Sequence, residues 1–234
     1  MTTHSVTRPP RRRDRWVVAG LLALTVVPVT AGIVRLVTLS LGVELAPEDA
    51  RYLDSPLPVV LHVVTVIPFA VLGAFQFVPG LRRRRRWHRV SGRIVAPAGI
   101  VAALTGLWMT LFYPRVPSDS DLLVSIRIVV VLYMLISLVL GVAAVLRRDF
   151  VRHRAWMIRG YAIGMGAGTQ VFTLLPWTVV AGEPGWLARA LLMGLAWAIN
   201  AAVAEWVIRR PARRRPRPAA RRPVAPVPAE AVAR

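Results

Sequence analysis

The sequence predicts an all-α membrane protein: a polytopic helical bundle of six transmembrane helices with both ends in the cytoplasm. Three observations predict it. Apolar residues make up 56% of the 234 residues, with a mean hydropathy of +0.54. Six separate stretches reach the roughly 20 residues that a helix needs to cross a bilayer. The cations are gathered into blocks that fall between alternate pairs of those stretches, as they do where membrane proteins face the cytoplasm. A barrel would show two-residue alternation instead, and in lipid only helices and closed barrels satisfy their own backbone groups.

The first span, 16–41, follows Arg8, Arg11, Arg12, Arg13 and Arg15. It is too long for the apolar part of a signal peptide, and no small-residue cleavage site follows, so it reads as retained. The arginines make only a poor twin-arginine signal, because Asp14 and Arg15 interrupt it. Spans 58–80, 94–113 and 122–146 come next, then 156–181 and 186–208. Pro28, Pro68, Pro97 and Pro176 lie in or near spans and are expected to kink them. The segment 209–234, rich in arginine and proline, cannot bury enough apolar surface to order itself and reads as a disordered cytoplasmic tail. Residues 1–15 form a basic cytoplasmic tail at the other end.

Orientation comes from counting arginines. All 31 basic residues are arginine, against 11 acids, for a net charge of +20. The N-terminal tail holds five, the connection after the second span seven, that after the fourth five, and the C-terminal tail nine. Six spans put all four segments on one side, the cytoplasm. Glu44, Glu48, Asp49, Asp54, Asp119, Asp121 and Glu183 fall on the other. Trp16, Trp87, Trp156 and Trp206 mark the inner boundary; Tyr113, Trp177 and Trp186 mark the outer. Such a charge in a soluble chain would suggest nucleic acid, but these cations alternate with apolar runs, so no nucleic-acid partner is expected. The expected partners are the bilayer itself and anionic lipids at its cytoplasmic face. Oligomeric state is left open.

Polar residues inside spans are the candidates for function, because their burial in lipid is costly. Arg35, His62, Arg127 and Arg189 lie on four different spans at one depth, a turn or two from the outer boundary. Converging, they would form a basic pocket for a carboxylate, a phosphate or a haem propionate; otherwise each arginine would turn to the interface and pair with a loop acid. His88 and His153 begin the third and fifth spans, where two helices would offer axial ligands to one haem b. Nearer the cytoplasm, Gln76 and Asn200 would bond across helices. Glu205 stands four residues before Arg209, the favourable order for an ion pair along a helix. Gly160, Gly164 and Gly168 line one face of the fifth span for close packing. The absence of cysteine excludes thiolate metal sites, and no other metal site is expected. No GxSxG, HExxH or phosphate-binding loop occurs, and no span carries paired carboxylates. No catalytic residues are therefore expected.

The second and third spans repeat the fourth and fifth in outline, as two hairpins of one orientation joined through Arg86-Trp87-His88-Arg89 and Arg152-His153-Arg154. Interfaces between such repeats often hold a site. Leu61-His62, Gly73-x-x-Gln76-Phe77, His88-Arg89-x-x-Gly92-Arg93 and His153-Arg154-x-Trp156-Met157-Ile158-Arg159 together resemble a family of bacterial membrane proteins, domain of unknown function 2306, over about residues 58–181. The resemblance implies a multi-pass protein of a bacterial inner membrane and weight on Gln76, Arg89, Gly92, Arg93, Arg154, Trp156, Met157 and Arg159. It implies no activity. Where that pattern tends to place an arginine in the fifth span, this chain has Gln170. More distantly, the histidines are similar to those of transmembrane b-type cytochromes, which use two histidine pairs; only His88 and His153 match one of them. Three functions follow as expectations: binding or transport of an anionic small molecule or lipid, single-haem electron transfer, and a non-catalytic membrane scaffold.

Overall fold

The structure, a computed structural model, describes residues 12–43, 49–78, 81 and 84–210. His4, Glu44, Glu48, Arg8, Arg11, most of the C-terminal tail and the side chains of Arg12 and Arg13 lie outside the described residues. The described residues form α1 (Arg12–Leu41), a short α2 (Ala50–Asp54), α3 (Pro56–Gln76), α4 (Arg85–Phe112) and α5 (Asp121–Leu146). They continue with α6 (Phe150–Gly164), α7 (Gly166–Ala181) and α8 (Trp186–Arg209). No strand occurs among them. Five of the described helices are long and apolar enough to cross a membrane, and the spans number six if α6 and α7, which are bent by 40° at their junction, count as one. The chain is an all-α membrane bundle.

Two of the spans differ most from the sequence expectation. The third span was placed at 94–113, but α4 begins at Arg85, so the basic segment through Arg93 is helical rather than loop. The fifth was placed at 156–181 as one helix and is two. The break is not at a proline: Pro28, Pro68, Pro97 and Pro176 all lie inside helices, whereas the bend falls at Met165 between Gly164 and Gly166. Glycines on both sides let large side chains press in from both sides, Phe69 against Gly164 and the Trp197 indole against Gly166. Asn200 of α8 spans the break. Its Nδ2 donates to the Ala162 carbonyl of α6 at 2.9 Å, and its Oδ1 accepts from the Thr169 hydroxyl of α7 at 2.9 Å.

The turn between α5 and α6 is closed by backbone. Arg148 takes a left-handed conformation (φ 61°), and the Asp149 amide reaches back to the Ala144 carbonyl at 2.9 Å. The Asp149 carboxylate then caps α6 by accepting from the Arg152 amide. The two hairpins, α3 with α4 and α5 with α6, meet in the centre of the bundle. Phe69, Ala70, Ala74, Val95, Leu138 and Tyr161 fill that interface, and the Tyr161 hydroxyl donates to the Ala70 carbonyl at 2.8 Å. A repeat interface of this kind was expected to hold a site. Here it holds the packed core, because Gly73, Gly99, Gly160 and Gly164 admit rings and leucines where a cavity would otherwise lie.

Helix α1 is peripheral and touches α3 and α7. Its backbone comes so close to α7 that a β-carbon at Gly168 would collide with the Leu24 carbonyl oxygen. A backbone oxygen cannot rotate away, so Gly168→Ala is expected to push α1 outward at a cost of about 1 kcal/mol, the low end for overpacking because a peripheral helix can shift. As the chain has no cysteine, a cysteine pair introduced across α1 and α7 would report this directly. Unchanged crosslinking yield in the alanine variant would refute the prediction.

Candidate functional site

At the end of the bundle that the arginine count assigns to the outside, the connections fold into a cap. Tyr113, expected as an interfacial belt residue, is instead buried there; its hydroxyl donates to the Ser55 carbonyl at 2.6 Å, tying the end of α4 to the start of α3. Its ring meets Tyr52 of α2 and Trp108 edge-on, both at 5.4 Å. Tyr52 lies against two guanidinium groups, Arg35 at 4.4 Å and Arg51 at 4.7 Å from its centroid. Cations stack on aromatic faces in this way because the ring face carries negative charge.

Beside this cap is a cavity of about 250 Å³ lined by Arg51, Arg115, Arg127 and Arg189, with Asp119 and the rings of Tyr52 and Tyr113. The four cations come from α2, the connection after α4, the second turn of α5 and the first turn of α8. Arg127 pairs with Asp119 at 3.0 Å, and Arg115 pairs with Asp121 at the rim. Ser120 caps α5 by accepting from the Leu123 amide, which holds Asp119 just outside the helix and against Arg127. Arg51 donates to the Pro114 carbonyl at 3.1 Å and the Tyr52 hydroxyl at 2.7 Å, while its Nε is buried without a hydrogen-bond partner. The Arg189 side chain makes neither an ion pair nor a hydrogen bond among the described residues, and its Nε is buried. A buried guanidinium donor without an acceptor is costly unless something supplies one.

Of the four residues expected to converge, the structure brings two together. Arg127 and Arg189 line the cavity. Arg35 is drawn aside to Asp49, 2.8 Å away in a largely buried pair. His62 turns to the neighbouring helix, its Nδ1 lying 2.9 Å from the Ala102 carbonyl and 3.2 Å from the Thr105 hydroxyl. It stands behind Gly106, which lines the cavity wall. Arg51 and Arg115 were missed, although a signal existed. Once the four cytoplasmic segments are set aside, the arginines that remain are Arg35, Arg51, Arg115, Arg127 and Arg189, and all five end in this cap.

The end of the bundle that the arginine count assigns to the cytoplasm is organised by hydrogen bonds within and between helices. Gln76 Nε2 donates to the Ser91 hydroxyl at 2.6 Å, and Ser91 donates to the Trp87 carbonyl, so α3 and α4 are joined near their connection. Arg89 reaches only the Arg85 carbonyl of its own helix; Gly92 has open space beside it, and Arg93 and Arg154 are exposed. Met157 packs its sulfur against Gly141. Arg159, lying over Trp156 at 4.7 Å, makes a two-pronged ion pair with Glu205 of α8, Nε to Oε1 at 2.6 Å and Nη2 to Oε2 at 3.2 Å. Arg209, the partner expected for Glu205, is a second and longer contact at 3.4 Å. Gln170 is buried in α7 with its amide nitrogen unpaired among the described residues.

His88 and His153 do not fit a haem held between them. They begin α4 and α6, which are not packed on one another, while α5 packs on both. The volume enclosed by α3, α4, α5 and α6 is filled by Phe69, Val95, Leu138 and Tyr161. His153 is directed into its own hairpin, its Nδ1 2.8 Å from the Gly141 carbonyl. A macrocycle would have to displace the core.

A family model described as a predicted membrane protein, DUF2306, matches residues 59–208, which takes in every span but α1. No curated protein and no solved structure matches the chain.

Proposed function

Because the chain belongs to the DUF2306 family of predicted membrane proteins, its function is sought in the bilayer, and we propose that it binds an anionic small molecule or lipid head group in the outer arginine-lined cavity. The observation that carries this reading is Arg189, a guanidinium on the cavity wall with a buried donor that no residue of the described chain satisfies. Arg51 adds a second such donor. Guanidinium groups bind carboxylate and phosphate through paired, charge-assisted hydrogen bonds, each about twice as strong as a neutral one. We read the site as one of binding, because its lining carboxylate, Asp119, is engaged by Arg127. We read the protein as lying in a bacterial inner membrane, with Arg85, Arg86, Arg89 and Arg93 against anionic lipid at the cytoplasmic face.

The test is calorimetric titration of the detergent-purified protein with phosphate, succinate and phenyl phosphate. Saturable binding is expected. Arg189→Gln should weaken it at least tenfold, a loss of about 1.4 kcal/mol, and Arg127→Ala should weaken it less, because Asp119 already engages that cation. His62→Ala should leave affinity unchanged. A monodisperse, folded protein that binds none of these anions would refute the reading and favour the scaffold. Transport is a second reading, favoured by the broken span: discontinuous helices are common in transporters, where they build the substrate site. Uptake of the bound anion into proteoliposomes would be its measure, and binding without uptake would exclude it.

A further inference from the structure

Among the described residues the charges around the cavity are not balanced. Arg127 is held by Asp119, and Arg115 by Asp121. Arg51 and Arg189 have no carboxylate partner among the described residues. Two positive charges therefore face one cavity of about 250 Å³, each with a buried Nε awaiting an acceptor. From this we infer that the cavity is selective for a doubly charged phosphoryl group, the terminal phosphate of a soluble monoester or of a phosphatidate head group, over singly charged anions. This rests on the cavity being an anion site.

A phosphomonoester carries close to two negative charges near neutral pH and three strong acceptor oxygens. It can neutralise both guanidinium groups and give each an acceptor. A monocarboxylate or sulfate monoester leaves one cation uncompensated in a confined place, where the penalty is larger than in water. Asp119 limits the charge the cavity presents. Its carboxylate is tethered in the loop before α5 and sits largely buried on Arg127, so it competes for that cation at the high effective concentration of an intramolecular group. It thereby keeps the uncompensated charge at two. Freed of Asp119, Arg127 would add a third positive charge, which attracts a doubly charged ligand about twice as strongly as a singly charged one and so widens the gap between them.

Phenyl phosphate and phenyl sulfate share a body and differ in charge, which makes them the probe pair. At pH 8 the folded, detergent-purified protein is expected to bind phenyl phosphate at least tenfold more tightly than phenyl sulfate. In Asp119→Asn the affinity for phenyl sulfate should rise at least threefold and that for phenyl phosphate by more, so that the ratio between the two grows. Equal binding of both by the unaltered chain would overturn the inference while leaving anion binding intact; binding of neither would overturn the anion site itself. An Asp119→Asn protein that folds and keeps the original ratio would remove Asp119 from the account. The ligand's source is decided by competition. If nanodiscs containing phosphatidate block phenyl phosphate and phosphatidylcholine nanodiscs do not, the head group is the ligand; if both leave binding unchanged, it is a soluble monoester.

Discussion

Replacing Phe69 with alanine is expected to destabilise the bundle by about 2 kcal/mol without disturbing its topology. Phe69 is 1% exposed and sits where three helices converge. One edge of its ring abuts Gly99 of α4 and the other Gly164 of α6, and Tyr161 lies 5.5 Å from it. In a water-soluble core the cost of such a truncation, about 3–5 kcal/mol, combines the lost transfer of the ring from water with the cavity left behind. In a bilayer the first part largely disappears, because lipid tails solvate the unfolded segment as well as the core does. What remains is packing: a void on the order of 100 Å³ at about 24 cal/mol per Å³ gives the figure of about 2 kcal/mol. Gly99 and Gly164 have no side chains with which to close the void. The measurement is reversible unfolding in mixed micelles, Phe69→Ala against Phe69→Leu. The leucine variant should recover more than half of the loss, and equal losses would show that the ring is not filling a slot. Since the void would border the bend at Met165, Phe69→Ala should also raise hydrogen exchange there.

How much of this could be seen in the sequence depended on whether lipid or neighbouring helices set the constraint. Lipid dictates span length, so the apolar stretches gave the all-α bundle directly, and the four basic segments carry the orientation expected for it. Facing was hidden, because helices surrounded by lipid are apolar on every side and carry little amphipathic signal. Depth counting thus placed Arg35, His62, Arg127 and Arg189 at one level but could not show that Arg35 turns to Asp49 or His62 to Ala102. The break at Met165 was hidden for another reason. Proline is the obvious breaker, yet Pro176 is accommodated within α7, and the bend comes from glycines whose partners, Phe69 and Trp197, lie far away in sequence. Arg159 counted as one more cytoplasmic cation, and Glu205 was explained by Arg209; a satisfactory local partner concealed the tertiary one.

Neutralising Glu205 is expected to cost about 2–3 kcal/mol, and neutralising Arg159 about 1–2 kcal/mol. Breaking a fully buried pair costs about 3–5 kcal/mol; here Arg159 is 21% exposed and Glu205 30%, so part of each charge remains solvated. The asymmetry has a structural cause. In Arg159→Gln, Glu205 keeps Arg209 at 3.4 Å. In Glu205→Gln, Arg159 has no other carboxylate among the described residues and must stretch along its stem toward the cytoplasmic head groups, losing its place over Trp156. A double-mutant cycle isolates the pair: Arg159→Gln/Glu205→Gln should cost no more than Glu205→Gln alone, because neither charge is then left unpaired. Simple additivity would mean that the two residues act independently, against the geometry. The pair matters beyond its own energy. Arg159 is on α6, and α8 grips that helix twice, at Glu205 and at Asn200, but α7 only through Asn200 and apolar contact among the described residues. Loss of the ion pair should therefore loosen α6 first, so that its amides, rather than those of α7, gain the greater increase in hydrogen exchange.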